Sequence, residues 1–238
     1  MSKEKIIVAL DVESATEARE IIAELRGEVG AFKIGLQLFT SEGASFVRDT
    51  ARRGVKIFLD VKLHDIPNTV AKAAVEVARL GVWMFNIHAA GGSEMMRKTV
   101  ESVNEVCERE GRRRPKMIGV TVLTSGNSET LRETGIEKEI KSQVLNLAQL
   151  TAKCGLDGVV ASAEETREIR AGIEREDFLI VTPGIRPDFA TNDDQKRVMT
   201  PKDAVLAGSD YLVIGRPILR AENKAQAVRE ILKEIAGG

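Results

Sequence analysis

Aromatic residues make up only 4% of this 238-residue chain, and histidine and cysteine occur twice each. So few aromatic side chains leave little on which nucleic-acid bases would stack. The 35 Lys and Arg residues are balanced by 36 Asp and Glu, a net charge of -1, so no broad basic field attracts a polyanion. No nucleic-acid partner is expected. The first apolar run, Ile6 to Leu10, is too short for a signal-peptide core or a membrane span. No membrane association is therefore expected, and the location is read as cytoplasmic. Cys107 and Cys154 fall in helix-like segments and read as reduced thiols rather than a disulfide. No cysteine pair has zinc spacing. The two histidines, His64 and His88, stand on different predicted strands, where they read as structural residues at the rim. No metal site is expected. The P-loop pattern and the G-x-S-x-G nucleophile elbow are both missing.

What the chain does have is one unit, repeated. At 43% hydrophobic and 30% charged residues it can bury a substantial core. Apolar runs that read as strands start near residues 6, 31, 56, 83, 116, 158, 178 and 211. They are continuous rather than alternating, as expected for strands buried on both faces. Helical patterns lie between them. Ser14-Ala15-Thr16-Glu17 and Ser162-Ala163-Glu164-Glu165 match capping boxes, and Pro67 suits a first helical turn. A helix is expected from about Ser41 to Arg53. The polar stretch from Thr124 to about Lys141 reads as a long loop with one short helix at most. Eight β-α units in a chain near the usual length of about 250 residues predict a single-domain (β/α)8 TIM barrel spanning residues 1–238. An open doubly wound sheet is the alternative. It would want a glycine fingerprint after the first strand, where Asp11-Val12-Glu13 stands instead.

The third strand ends in Asp60-Val61-Lys62-Leu63-His64-Asp65, followed by Ile66-Pro67-Asn68-Thr69. Alternate strand residues share a face, so Phe58, Asp60 and Lys62 are expected to point the same way, inward. A carboxylate and an ammonium facing a core need each other. In isolation such a pair is most simply a structural ion pair. In a barrel, however, sites form at the C-terminal ends of the strands. Those ends present Asp11 on strand one, Lys33 on strand two, Asp60, Lys62 and Asp65 on strand three, and His88 on strand four. Thr124 and Ser125 follow strand five, Gly184 and Arg186 strand seven, Gly215 and Arg216 strand eight. Loops after strands seven and eight build phosphate sites in this fold, with glycine backbone and arginine supplying the contacts. The expected ligand is a small phosphorylated molecule. The stretch from Asp188 to Met199 reads as a lid over it, with Gln195 as a polar contact.

These residues resemble the orotidine 5'-phosphate decarboxylase family over essentially the whole chain. The resemblance rests on D-V-K-L-H-D-I-P-N-T at Asp60 to Thr69 and on V-T-V-L-T-S at Val120 to Ser125. V-T-P-G-I-R-P at Val181 to Pro187 and V-I-G-R-P at Val213 to Pro217 complete it. It implies decarboxylation of orotidine 5'-phosphate to uridine 5'-phosphate without a cofactor, the last step of de novo pyrimidine biosynthesis. It implies that Lys62 protonates the ring carbon, that Asp60 lies against the departing carboxylate, and that Lys33 and Asp65 complete a Lys-Asp-Lys-Asp array. Asp11 and Lys33 are implied to contact ribose, Thr124 the pyrimidine, and Gln195, Gly215 and Arg216, with Arg186 nearby, the phosphate. Asp65 and Thr69 are implied to reach the neighbouring subunit's site, and so a homodimer.

The residue chemistry points the same way. Loss of carbon dioxide from an sp² ring carbon leaves a localised carbanion, and no cofactor signature supplies an electron sink. A preorganised ammonium beside that carbon is electrostatic catalysis, and the same ammonium can act as general acid. Three alternatives share parts of the pattern. Magnesium-dependent sugar-phosphate decarboxylases and hexulose phosphate synthases resemble the chain at strand three but carry a glutamate on strand two, where Lys33 stands. An aldolase would use Lys62 as a Schiff base. A non-catalytic phospholigand-binding barrel would have no use for the Asp60-Lys62-Asp65 set.

Overall fold

The computed structural model of the chain describes residues 2–189 and 199–237. Its eight strands are β1 (Ile6–Ala9), β2 (Ala31–Gly35), β3 (Ile57–Leu63), β4 (Met84–His88), β5 (Lys116–Val120), β6 (Gly158–Val160), β7 (Leu179–Thr182) and β8 (Tyr211–Ile214). Each pairs in parallel with its neighbours in sequence, and β8 pairs back onto β1 to close the barrel. The eight expected strand starts fall within one residue of those observed. The ring has no open edge, so an open doubly wound sheet is ruled out.

Both faces of the strands are buried, which explains the uninterrupted apolar runs. Ile7, Ala9, Ala31, Phe58, Met84, Ile118, Val181 and Val213 fill the barrel interior. Residues of opposite parity, such as Ile6, Val8, Ile34, Leu59, Phe85 and Ile87, pack outward against the helices. Some helices begin at capping or first-turn residues legible in the sequence. Ser14 accepts from the Glu17 N–H at the start of Ala15–Leu25, and Pro67 opens Pro67–Arg79. Thr200 caps Pro201–Ala207, which stops at Gly208 in the left-handed conformation.

Three local expectations are refined. The second helix begins at Leu36 rather than near Ser41 and breaks at Gly43, whose φ of 70° a side chain would strain. Ser162 caps a single 3-10 turn, Ala163–Glu165, before the helix Thr166–Gly172. The polar stretch after β5 holds one short helix, Ser128–Glu133, closed by a reciprocal Asn127–Thr130 capping box. Cys107 and Cys154 are both free and buried. Among the described residues, no helix is long and apolar enough to cross a membrane.

Gly158 marks the closest backbone approach in the barrel wall. A Cβ there would collide with the Leu179 carbonyl oxygen on the paired strand β7. Gly158→Ala should therefore destabilise the chain by about 1–3 kcal/mol, as overpacking in a core does. Urea unfolding monitored by circular dichroism measures this, and an unchanged midpoint would show that the wall yields freely.

Candidate active site at the C-terminal mouth

The C-terminal ends of the strands surround a pocket of about 300 Å³. Phe58, Val120, Val160 and Val213 are among its apolar lining residues. Asp11, Lys33, Asp60 and Lys62 line it from the β1–β3 side. Thr124 and Ser125 follow β5, and Pro183, Gly184, Arg186, Gly215 and Arg216 follow β7 and β8. Sequence reasoning had placed most of these polar groups here, and closure of the barrel brings them to one opening.

The charged side chains form a continuous line. Lys33 Nζ stands 3.1 Å from Asp11 Oδ1 and 3.4 Å from Asp60 Oδ2. Lys62 Nζ stands 2.6 Å from Asp60 Oδ1. The order is Asp11, Lys33, Asp60, Lys62, so within one chain the alternation extends from Asp60 toward strand one. The side chains of Asp60 and Lys33 are only 14% and 11% exposed, which leaves little water to solvate either charge. Burial alone would raise the Asp60 pKa. The Lys33 and Lys62 charges, with hydrogen bonds from Lys62 and Asn86, outweigh it and hold the carboxyl below its usual value.

The backbone that presents this pair is irregular. Leu59 is opposite Phe85 and Leu63 is opposite Ile87, so Asp60, Val61 and Lys62 together face the single residue Asn86. This is a bulge in the β3–β4 ladder. Lys62 has φ of 52° and is the one non-glycine residue with positive φ among those described. That conformation costs an L-residue about 1–2 kcal/mol. Regular alternation therefore accounts for Phe58 and Asp60 but stops before Lys62. The lysine meets Asp60 because the bulge turns it back.

Asn86 is the residue that sequence reasoning missed. It is 1% exposed, in the middle of β4. Its Oδ1 accepts from the Lys62 N–H at 2.8 Å, and its Nδ2 donates to Asp60 Oδ1 at 2.7 Å. A backbone N–H only donates and a carboxylate only accepts, so these partners fix which way the amide faces. The available signal was an amide side chain in an otherwise apolar strand run.

On the β7–β8 side, Gly184 has φ of 76° and brings backbone to the pocket wall. Arg186 is 8% exposed, and its Nη1 donates to the Ile185 carbonyl at 3.0 Å. Gly215 packs so that a Cβ would sit 3.3 Å from Asp11 Oδ2. Asp65 and Thr69 are exposed and do not line the pocket of their own chain. Asp65 Oδ1 accepts from the Ile66 N–H at 2.6 Å. Gln195, and most of the stretch read as a lid, lie outside the described residues. Met199, at the far end of that stretch, is tied to the chain just before it, with the Arg186 N–H donating to the Met199 carbonyl at 3.0 Å.

The His64 and His88 rings lie against each other at a tilt of 42°, with centroids 5.3 Å apart. Among the described residues no group of three or more His, Cys, Asp and Glu side chains is placed to hold a metal ion. Burial, then the nearby His64 and Lys62 charges, lower the His88 pKa from 6.5, and Asp60 only partly opposes them. The unfolded chain thus takes up a proton below pH 6.5 that the folded chain resists. Folding stability is lost on this account as pH falls below 6.5 and regained as it rises to that value. His88→Gln should make the melting temperature fall less steeply with acid between pH 6.5 and 5. Parallel curves for the two proteins would remove His88 as a cause.

Fold and site together define a (β/α)8-barrel protein with an ion-paired pocket at its C-terminal mouth. The chain belongs to the Orotidine 5'-phosphate decarboxylase / HUMPS family, whose model matches residues 4–231. It is 51% identical over 235 residues to an orotidine 5'-phosphate decarboxylase of Syntrophotalea carbinolica, covering 99% of this chain and 96% of that one. An orotidine 5'-phosphate decarboxylase of Geobacter sulfurreducens is 52% identical over 237 residues, covering 100% of this chain and 98% of the relative. The crystal structure of orotidine 5'-phosphate decarboxylase from Lactobacillus acidophilus superposes with a TM-score of 0.85. It is 37% identical and covers 97% of this chain and 98% of its own.

Proposed function

We propose that this chain decarboxylates orotidine 5'-phosphate to uridine 5'-phosphate, the last step of de novo pyrimidine biosynthesis, and does so without a cofactor. The observation that carries the reading is the Asp11-Lys33-Asp60-Lys62 line sharing one pocket with Gly184, Arg186, Gly215 and Arg216. The glycine backbone and arginines suit a phosphate, and Asp11 and Lys33 suit ribose hydroxyls. Thr124 offers a hydroxyl to the pyrimidine.

In this reading the substrate carboxylate lies against Asp60 and its ring carbon against Lys62. The carbon–carbon bond breaks, carbon dioxide leaves, and the electron pair stays on the ring carbon. The Lys62 ammonium stabilises that charge and then transfers a proton to the carbon, after which solvent reprotonates the amine. Phosphate contacts remote from the reacting carbon supply binding energy that orients the ring. The Lys33 ammonium lies between Asp11 and Asp60, where it would repel a metal cation. That placement supports decarboxylation without a metal over the sugar-phosphate chemistry of the sister barrels.

A homodimer with shared sites belongs to the same proposal. Leu36, Ile66 and Leu123 follow β2, β3 and β5 at the mouth and are 54%, 67% and 45% exposed, an apolar margin suited to a second copy. Asp65 and Thr69 on the same margin would then complete the partner's site. The two free, buried thiols fit a cytoplasmic setting.

Purified protein should consume orotidine 5'-phosphate in excess chelator, as followed by ultraviolet absorbance. Lys62→Ala should lower kcat by at least about 10²–10³-fold, whereas turnover that needs added magnesium would favour the sister chemistry. Mixing Lys62→Ala with Asp65→Ala protein should restore about a quarter of wild-type activity if subunits exchange at random in a two-fold dimer. No recovery in verified heterodimers would remove Asp65 from the partner's site.

A further inference from the structure

We infer that Asn86 is a positioning residue for the decarboxylation, a tether that sets Lys62 and Asp60 relative to each other at the bulge. The inference rests on the functional reading above and adds a residue to it.

Three observations converge on this side chain. First, the β3–β4 ladder is interrupted there, with three residues of β3 facing one residue of β4. The regular backbone pattern therefore does not position Asp60 to Lys62. Second, Lys62 is held at φ of 52°, a conformation that relaxes unless its surroundings hold it. Third, the Asn86 amide spans both groups, accepting from the Lys62 backbone at 2.8 Å and donating to the Asp60 carboxylate at 2.7 Å. Asn86 and the Lys62 ammonium converge on the same oxygen, Asp60 Oδ1. One planar side chain thus fixes the peptide that carries the ammonium and the carboxylate that opposes it. Asn86 does not line the pocket, so it acts through those two residues.

The amide chemistry is specific. Aspartate at this position keeps the acceptor for the Lys62 N–H but turns the donor toward Asp60 into a second carboxylate. Alanine removes both contacts. Either change frees the ammonium to shift, and a shift of about 1 Å at a reacting centre costs about 10²-fold in rate. Phosphate contacts from the β7 and β8 loops lie elsewhere in the ring and remain. The expected signature is a loss in kcat with little change in ligand affinity.

The test compares wild type, Asn86→Ala and Asn86→Asp for kcat, KM, affinity for uridine 5'-phosphate and melting temperature. Amide hydrogen exchange at Lys62 is read in the same proteins without substrate. Asn86→Ala should lower kcat about 10²-fold, leave KM and product affinity within about threefold, and expose the Lys62 amide to exchange. Asn86→Asp should be impaired at neutral pH and recover partly in mild acid, where one proton can be shared between the carboxylates at 60 and 86. Wild type should show no such gain. If the alanine variant does not fold, the aspartate pH profile decides alone. An unchanged kcat in Asn86→Ala, kcat and product affinity falling together, or an aspartate profile parallel to wild type would each overturn the inference. A wild-type protein that leaves orotidine 5'-phosphate untouched would instead defeat the functional reading, with the Lys62 amide still reporting the tether.

Discussion

One carboxylate, Asp60, holds the mouth of the barrel together. Its two oxygens receive Lys33 on one side and Lys62 with Asn86 on the other. Removal from water penalises its charge, and the three partners reverse that penalty. The two ammonium groups supply most of that reversal, and the Asn86 hydrogen bond adds to it. The arrangement is therefore a constraint on β2, β3 and β4 at once, because each strand supplies one part of it. Surface ion pairs elsewhere, such as Lys56 with Glu4, are exposed and place no comparable demand on the fold.

The barrel gathers two sets of polar groups at one mouth. The charged line Asp11-Lys33-Asp60-Lys62 stands at the ends of the first three strands, whereas Gly184, Arg186, Gly215 and Arg216 follow β7 and β8, and the two sets meet where β8 pairs with β1. The floor between them is apolar, with Phe58 filling the interior below Asp60. The bulge at Asp60 to Lys62 adds local strain to an otherwise regular wall. The interior packing below and the Asn86 amide beside it hold that strain in place.

Much of this was legible in the linear chain, for identifiable reasons. Continuous apolar runs between helical patterns revealed strands buried on both faces, and Gly, Pro and capping residues placed most boundaries to within a residue. The residues that line the pocket were legible as a set because a barrel collects its strand ends at one mouth, so Asp11, Lys33, Asp60, Lys62, Thr124, Arg186, Gly215 and Arg216 could be grouped before any distance was known. Alternation along β3 correctly put Phe58 and Asp60 inside. It said nothing of the bulge, because the two extra residues in β3 leave the apolar pattern intact. Asn86 went unread because its partners are 24 and 26 residues away.

By itself, then, the sequence determined the strand count, the parallel order and the inventory of charges at the mouth. Those follow from periodicity and from the short-range rules of caps and turns. Only the tertiary structure decided the order of the charge line, with Asp11 rather than Asp65 ending it within one chain, and the left-handed turn at Lys62. Pairing between side chains depends on register and on backbone curvature across strands, and neither is encoded in the spacing of residues along one segment.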